Sequence, residues 1–273
     1  MISTELIAEW RARTRWALDE QVEQDLVLSR ALVEIFSDIG LARSVALRGG
    51  TALHKLHFPP PRRYSNDIDL VQLRPEPIGL TLDRLRGCLD PWLGEPRRDQ
   101  GQGVRLIYRF DSEIPPIVRL KLKVETNTRE HFTVHGTTKI PFAVESRWWQ
   151  GSAEITTFHI QELLGTKLRA LFQRKKGRDL FDLVVALDAG VDPAAIVEVF
   201  AAYAKFEGRE ITRAIFEENL SNKLALPAFQ DDLRPLLPPG AEFNHAAGGA
   251  SVMTELVALL PGEPWRGNTG REQ

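Results

Sequence analysis

The sequence is poor in cysteine. Among 273 residues Cys88 stands alone, which excludes an intramolecular disulfide framework and any cysteine-based zinc ligand set. Long apolar runs are also missing. No stretch approaches the ~18 uninterrupted apolar residues of a membrane span, so no membrane partner is expected. Neither charge sign dominates. Lys plus Arg number 35 against 37 Asp plus Glu, a formal charge of −2. That excludes a globally basic nucleic-acid wrapper and leaves room for a local basic groove. Residues 1–9 are acidic and lack the basic-then-apolar order of a secretory leader, so a cytoplasmic location is expected. No internal repeat or long low-complexity segment is found. The rest is ordinary: 43% hydrophobic and 26% charged residues, enough to build a sizeable core in one or two domains.

Residues 6–39 contain neither Gly nor Pro, and Leu26, Leu28, Ala31, Leu32, Ile35 and Phe36 recur at helical spacing. Two helices are predicted, broken near 14–19, with Asp25 capping or supporting the second and Gly40 as its C-cap. Residues 44–47 read as a short strand running into a tight turn at Arg48-Gly49-Gly50. A helix over 51–56 follows, with Thr51 as a cap. The run Phe58-Pro59-Pro60-Pro61-Arg62-Arg63 must be a loop. Residues 67–71 alternate polar and apolar, predicting a strand with Asp67 and Asp69 on one face. Further strands are predicted over 105–110 and 118–125, with a helix over 80–93 between them and the first. On the 118–125 strand Arg119, Lys121, Lys123 and Glu125 share a face, and three cations there are either exposed or beside an anionic ligand, with the ligand preferred. Residues 142–144 read as strand or loop. From 157 onward the pattern is helical: 159–187 with soft breaks at Gly165 and Gly177, then 193–205, 210–221 and 251–260. The expected organisation is N-terminal helices over 1–40 packing on an α/β core over 41–156, a helical lobe over 157–260, and a disordered tail over 261–273.

The informative pairing is Arg48-Gly49-Gly50-Thr51-Ala52-Leu53 with Arg63-Tyr64-Ser65-Asn66-Asp67-Ile68-Asp69-Leu70. Carboxylates at i and i+2 of a strand project to one side, about 6–7 Å apart. Two anions that close call for a cation. Mg²⁺ takes hard oxygen ligands while keeping room for substrate phosphates, and paired Mg²⁺ ions stabilise both the entering and the leaving oxygen of a phosphoryl-type transfer. A Gly-Gly turn lets backbone N–H groups approach a triphosphate.

This arrangement resembles the DNA polymerase β-like nucleotidyltransferase superfamily: Gly-Gly, then Asp-x-Asp on a strand, then a third carboxylate on a neighbouring strand. Glu125 is the candidate for that third acid, by position. The likeness is closer to one branch, the AbiEii/AbiGii toxins of type IV toxin–antitoxin systems, MenT-type enzymes among them. It extends to Glu162-Leu163-Leu164-Gly165-Thr166-Lys167-Leu168-Arg169-Ala170-Leu171 and Arg178-Asp179-Leu180-Phe181-Asp182-Leu183, and covers roughly 45–187.

The resemblance implies an α+β fold, with a polymerase β-like core of mixed sheet and flanking helices plus a C-terminal helical lobe. It implies that Gly49 and Gly50 hold the nucleotide phosphates with Arg48 nearby. Asp67 and Asp69, with Glu125, would bind one or two Mg²⁺, and a nucleoside triphosphate would be co-substrate. Ser65 would lie near the metal and be open to modification. Lys167 would contact the triphosphate and Asp182 complete the site, with Asp179 its rival. Catalytic residues drawn from both parts of the chain imply two lobes facing each other across a cleft. The implied acceptor is the 3′ end of tRNA, whose extension blocks aminoacylation and translation, and the implied partner is a cognate antitoxin. A protein hydroxyl or an aminoglycoside-type small molecule is the alternative acceptor.

Arg169, Arg174, Lys175, Lys176 and Arg178, with Arg62 and Arg63, form either a phosphate-binding surface for RNA or a solvated helix face. His54, His57, His131, His135, His159 and His245 form no metal spacing and read as structural. Trp148 and Trp149 read as packing rather than base stacking, and Cys88 as an inert small apolar residue.

Overall fold

The structure, a computed structural model, describes residues 2–100 and 103–267. It divides into two compact units, Met1–Phe158 and His159–Gln273.

The first unit opens with α1 (Thr4–Arg11) and α2 (Asp19–Ser37), separated where the spacing places the break. Val22, Leu26, Leu28, Ala31, Leu32 and Ile35 of α2 are fully buried. Asp25 sits inside α2 rather than at its cap. One of its oxygens accepts the Trp10 indole N–H at 3.0 Å and the other takes the Lys55 ammonium at 2.8 Å. A buried acid is tolerated because both oxygens are satisfied. Gly40 is not a C-cap. Asp38 ends α2, and its carboxylate accepts the Leu41 amide at 2.8 Å, starting α3 (Ile39–Ser44) with Gly40 inside it. A capping aspartate two residues upstream outranks the glycine signal.

Next come β1 (Val45–Arg48) and α4 (Gly49–Ala52), which runs on as a π turn over Leu53–His57. Thr51 lies within α4 and does not cap it. The order continues with β2 (Asp67–Gln72), α5 (Gly79–Leu93), β3 (Arg97–Gln100), β4 (Val104–Asp111), β5 (Arg119–Asn127), β6 (Thr137–Glu145) and β7 (Gln150–Phe158). Among the described residues these strands form one seven-stranded sheet in the order β3-β4-β5-β2-β1-β7-β6. The sheet is mixed: β2 runs parallel to β5 and β1 parallel to β7, and the other neighbours are antiparallel.

α2 packs along β7, β5, β6 and β2, while α5 packs on α2, α3 and β4. Ile68, Leu70, Leu106, Tyr108, Leu122 and Val124 are buried. The intervening residues Asp67, Asp69, Arg105, Lys123 and Glu125 point to the opposite face, as strand alternation requires.

The second unit is helical: α6 (Ile160–Gln173), α7 (Gly177–Asp188), α8 (Pro193–Phe206), α9 (Arg213–Leu224), α10 (Pro227–Asp231) and α11 (His245–Glu255). Gly165 does not interrupt α6. A Cβ there would run into the Val199 side chain and stand 3.0 Å from the Ile196 carbonyl, so its missing side chain lets α6 and α8 close on each other. Gly177 does mark a break, and opens α7. Asp192 accepts the Ala194 amide and Pro193 fills the first helical position of α8. The helix expected over 251–260 is instead the end of α11 followed by a 3₁₀ turn at Val257–Leu259. Of the tail expected to be disordered, residues 268–273 lie outside the described residues. No helix among the described residues is long and apolar enough to cross a membrane. The architecture is α+β, a mixed sheet with flanking helices followed by a helical unit.

Candidate active site

The site in the first unit is built on the turn between β1 and α4. Gly49 has φ +79°, left-handed backbone that favours glycine. A Cβ on Gly49 would stand 2.6 Å from Asp69 Oδ2. One on Gly50 would stand 2.5 Å from Arg63 Nη2 and 3.2 Å from Ser65 Oγ. Gly49 is therefore required by its backbone and by the acid over it, while polar side chains lie close over the backbone of Gly50 as well. Thr51 Oγ1 donates to the Asp67 carbonyl at 2.6 Å and lies 2.8 Å from Ser65 Oγ. The Gly-Gly turn, Ser65 and the start of β2 are thus tied into one piece.

Strand register assembles the charged face. Arg48 pairs with Asp69 across β1 and β2; Asp67 pairs with Lys123 and Asp69 with Glu125 across β2 and β5; Arg105 of β4 pairs with Glu125. Lys123 Nζ lies 3.0 Å from Asp67 Oδ2 and 3.2 Å from Glu125 Oε2. Arg105 Nε lies 3.0 Å from Glu125 Oε2. Arg48 is drawn to Glu130, 2.6 Å away. Burial and the neighbouring Asp67 raise the Asp69 carboxyl above its ordinary value, against the pull of Lys123 and Arg48. Burial also works on Glu125, but the Arg105 hydrogen bond and the Lys123 charge outweigh it and hold Glu125 low. For Lys123 burial is again outweighed, here by Asp67 and Asp69, and its ammonium is held high.

Among the described residues, no group of three or more His, Cys, Asp or Glu is disposed to hold a metal ion. The donor chemistry of Asp67 and Asp69 nevertheless fits a hard divalent cation: two carboxylates on one strand face, one of them raised by the other and laid over a glycine. Glu125 is committed to Arg105 and Lys123.

The second unit carries its own charged cluster. Lys167 of α6 places Nζ 3.1 Å from Asp179 Oδ1 and 3.0 Å from Asp182 Oδ2, both on α7. The lysine is buried and neither aspartate side chain is exposed at all. Arg174 grips Asp179 with two hydrogen bonds of 2.6 and 2.7 Å. Burial would raise Asp179, but Lys167 and Arg174 together hold it low. The rival aspartates Asp179 and Asp182 thus both meet the Lys167 ammonium, and Asp179 also holds Arg174.

The basic residues separate by burial. Arg63 is 3% exposed and donates to the Tyr64 carbonyl; Arg169 is 7% exposed, bound to Glu207 at 3.0 Å and stacked on Tyr203. Burial removes these two from the set of surface cations expected to meet RNA. Lys176 and Arg178 both face Asp232, at 3.0 and 3.6 Å. Arg62 and Lys175 are exposed. On β5, Arg119 pairs with Asp111 and Lys121 is exposed. Lys123 lies beside an anion as expected, but the anions are the protein's own carboxylates. Arg105 was not singled out by sequence, although its alternation with Leu106 on the predicted strand puts it on the polar face. His54 is buried beside the Arg62 amide, and His131 Nδ1 lies 2.8 Å from the Gln72 carbonyl. Trp148 and Trp149 stack around Arg30. Burial pushes the Cys88 thiol up to about 11, as suits an inert side chain.

The sequence profile of the family described as "Nucleotidyl transferase AbiEii toxin, Type IV TA system" matches residues 30–248. Among solved structures, the fold is similar to MenT4, the nucleotidyltransferase toxin Rv2826c from Mycobacterium tuberculosis H37Rv, with TM-score 0.69 and 18% identity over 96% of this chain and 91% of that one. It is also similar to a protein from H. pylori described as a nucleotidyltransferase, with TM-score 0.56 and 19% identity over 88% of this chain and 96% of that one. No curated protein sequence matches.

Proposed function

This chain belongs to the AbiEii family of nucleotidyltransferase toxins of type IV toxin–antitoxin systems, and from that membership we propose that it transfers a nucleoside monophosphate to the 3′ end of tRNA. One observation carries the assignment of the site: Gly49, in left-handed backbone, lies directly under the Asp69 carboxylate, with Ser65 over Gly50. Phosphate-binding turn and acid pair are one continuous surface.

The residues divide the work. Backbone N–H groups at Gly49 and Gly50, at the N-terminus of a helical turn, meet the phosphates. Asp67 and Asp69 would hold Mg²⁺, which when bound would supply charge compensation for the triphosphate and the leaving group. The acceptor hydroxyl oxygen bonds to the α-phosphorus as the bond from that phosphorus to the bridging oxygen breaks. Pyrophosphate leaves, and the hydroxyl proton passes to solvent or to a carboxylate of the face. The protein contributes mainly position and preorganised charge. Glu125, anchored by Arg105 and Lys123, shapes the face and is a weaker base than its position alone suggests. Lys167 and Asp182 are included in the catalytic set on the family motif. The type IV system implies a cognate antitoxin as partner.

The deciding experiment incubates the protein with total tRNA, Mg²⁺ and each labelled NTP, followed by mass measurement of the tRNA. Label on the tRNA 3′ end, lost in Asp67→Ala, is the expected result. Label that appears only when lysate protein or aminoglycosides replace tRNA would move the activity to the alternative acceptors.

A further inference from the structure

The ammonium of Lys123 stands where a divalent cation would have to compete for oxygen. It lies 3.0 Å from Asp67 Oδ2 and 3.2 Å from Glu125 Oε2, fixed there by the pairing of β5 with β2. Glu125 is held as well by Arg105 on β4, at 3.0 Å through Oε2 and 3.3 Å through Oε1. Gln24 anchors the backbone of β5 next to this point, donating to the Lys121 carbonyl at 2.6 Å. Lys123 is thus a cation on a rigid strand, facing acids on two strands. Asp69, the third acid of this face, is packed over Gly49.

We propose that Lys123 is an internal counter-ion that couples metal binding to nucleotide binding at this face. The inference rests on the metal-dependent reading given above. A divalent cation arriving alone must separate Lys123 from Asp67, leaving a half-buried ammonium with Glu125 alone, an acid it already shares with Arg105. A cation arriving with a triphosphate brings anionic oxygens that re-pair the displaced ammonium. Each ligand then raises the affinity of the other, by the same factor in both directions. Lys123 is a positioning residue: it acts through the acids and the phosphates, and forms no bond to the reacting phosphorus.

The test is binding, without turnover. Mn²⁺ is titrated into the full chain and free Mn²⁺ is read by electron paramagnetic resonance, with and without an α,β-methylene NTP that cannot be cleaved. Wild type is expected to bind Mn²⁺ weakly alone and about tenfold more tightly with the analogue, a coupling in the usual range. Lys123→Met should bind Mn²⁺ alone about as tightly as wild type does with the analogue, and should gain little from adding it. Lys123→Arg, which keeps the charge, should behave as wild type. Equal Mn²⁺ affinity in wild type and Lys123→Met overturns the proposal. Should Lys123→Met not fold, wild type still decides: acetylation of Lys123, followed by peptide mass spectrometry, should rise severalfold on adding Mg²⁺ and fall again on adding the analogue. Unchanged labelling overturns the proposal. Asp67→Ala separates the two readings. If wild type binds no more Mn²⁺ than Asp67→Ala, the metal reading itself fails; if Asp67→Ala alone loses Mn²⁺ while Lys123→Met matches wild type, only the role of Lys123 fails.

Discussion

Asp69 Oδ2 would lie 2.6 Å from a Cβ placed on Gly49. The acid therefore occupies the space that any other residue at position 49 would need, and the backbone there is left-handed, φ +79°. Gly49→Ala meets both obstacles. It is expected to cost about 1–3 kcal/mol from backbone strain and to displace Asp69, so that nucleotide transfer falls by at least about tenfold. A urea melt and the tRNA labelling assay read the two effects separately. Unchanged transfer in a folded Gly49→Ala protein would detach the turn from the acid pair.

Lys167 balances two fully buried carboxylates. Lys167→Met leaves Asp182 without that charge, while Arg174 still holds Asp179. Breaking such a buried arrangement costs about 3–5 kcal/mol, seen as a lower denaturation midpoint. Adding Asp182→Leu removes a buried carboxylate that has lost the lysine charge and is expected to restore part of the loss. A midpoint unmoved by Lys167→Met would mean that the cluster contributes nothing to the fold.

Glu23 is buried in α2 and burial raises its carboxyl to about 7. The folded state therefore holds this proton more tightly than the unfolded chain. The contribution of Glu23 is full below the ordinary value of 4.5, declines as pH rises towards 7, and is level above it. The decline amounts to roughly 3 kcal/mol at most. Glu23→Gln should flatten the stability profile between about pH 5 and about pH 8, as measured by urea unfolding at both ends.

Ser65 Oγ sits 2.8 Å from Thr51 Oγ1, beside the Gly-Gly turn. A phosphate there adds about −1.5 to −2 charges next to the acid pair. Ser65→Asp, or stoichiometric phosphorylation, is expected to suppress transfer by repelling the triphosphate, whereas Ser65→Ala keeps most of it. Full activity of a phosphorylated sample would remove Ser65 as a control point.

Arg30 stacks over Trp92, Trp148 and Trp149 at 4.0, 4.9 and 5.6 Å, while Glu34 takes both the Arg30 guanidinium and the Trp92 indole N–H. Arg30→Ala should red-shift the tryptophan fluorescence and cost about 0.5–2 kcal/mol. An unchanged emission maximum would show that the indoles do not depend on the arginine.

The parts of the fold that follow from local chemistry were legible. The alternation at 67–71 and 118–125 marks β2 and β5, and the Gly-Gly turn marks the approach to the acids. β3 and β7 were not legible. Arg97–Gln100 is polar throughout, and Gln150–Phe158 carries Gly, Ser and two Thr where a strand reader looks for branched apolar residues. Both are strands because neighbouring strands pair with them. The acids of the candidate face, Asp67 and Asp69 by spacing and Glu125 by position, could be placed together, but not their partners. That Lys123 meets Asp67 depends on the register between strands far apart in sequence, and no local pattern encodes it. Gly165 was misread for the same reason, since its purpose lies on another helix.

The parallel pairing of β2 with β5 has a consequence for synthesis. These strands are neighbours in space, but α5, β3 and β4 intervene in the chain. A nascent chain that has emerged only as far as β2 already carries Asp67 and Asp69, yet lacks the strand that balances their charge. Pairing across such a separation closes late, after the local hairpins and helices. The charged face of this nucleotidyltransferase-family chain would on this order mature only once most of its first unit has left the ribosome that makes it.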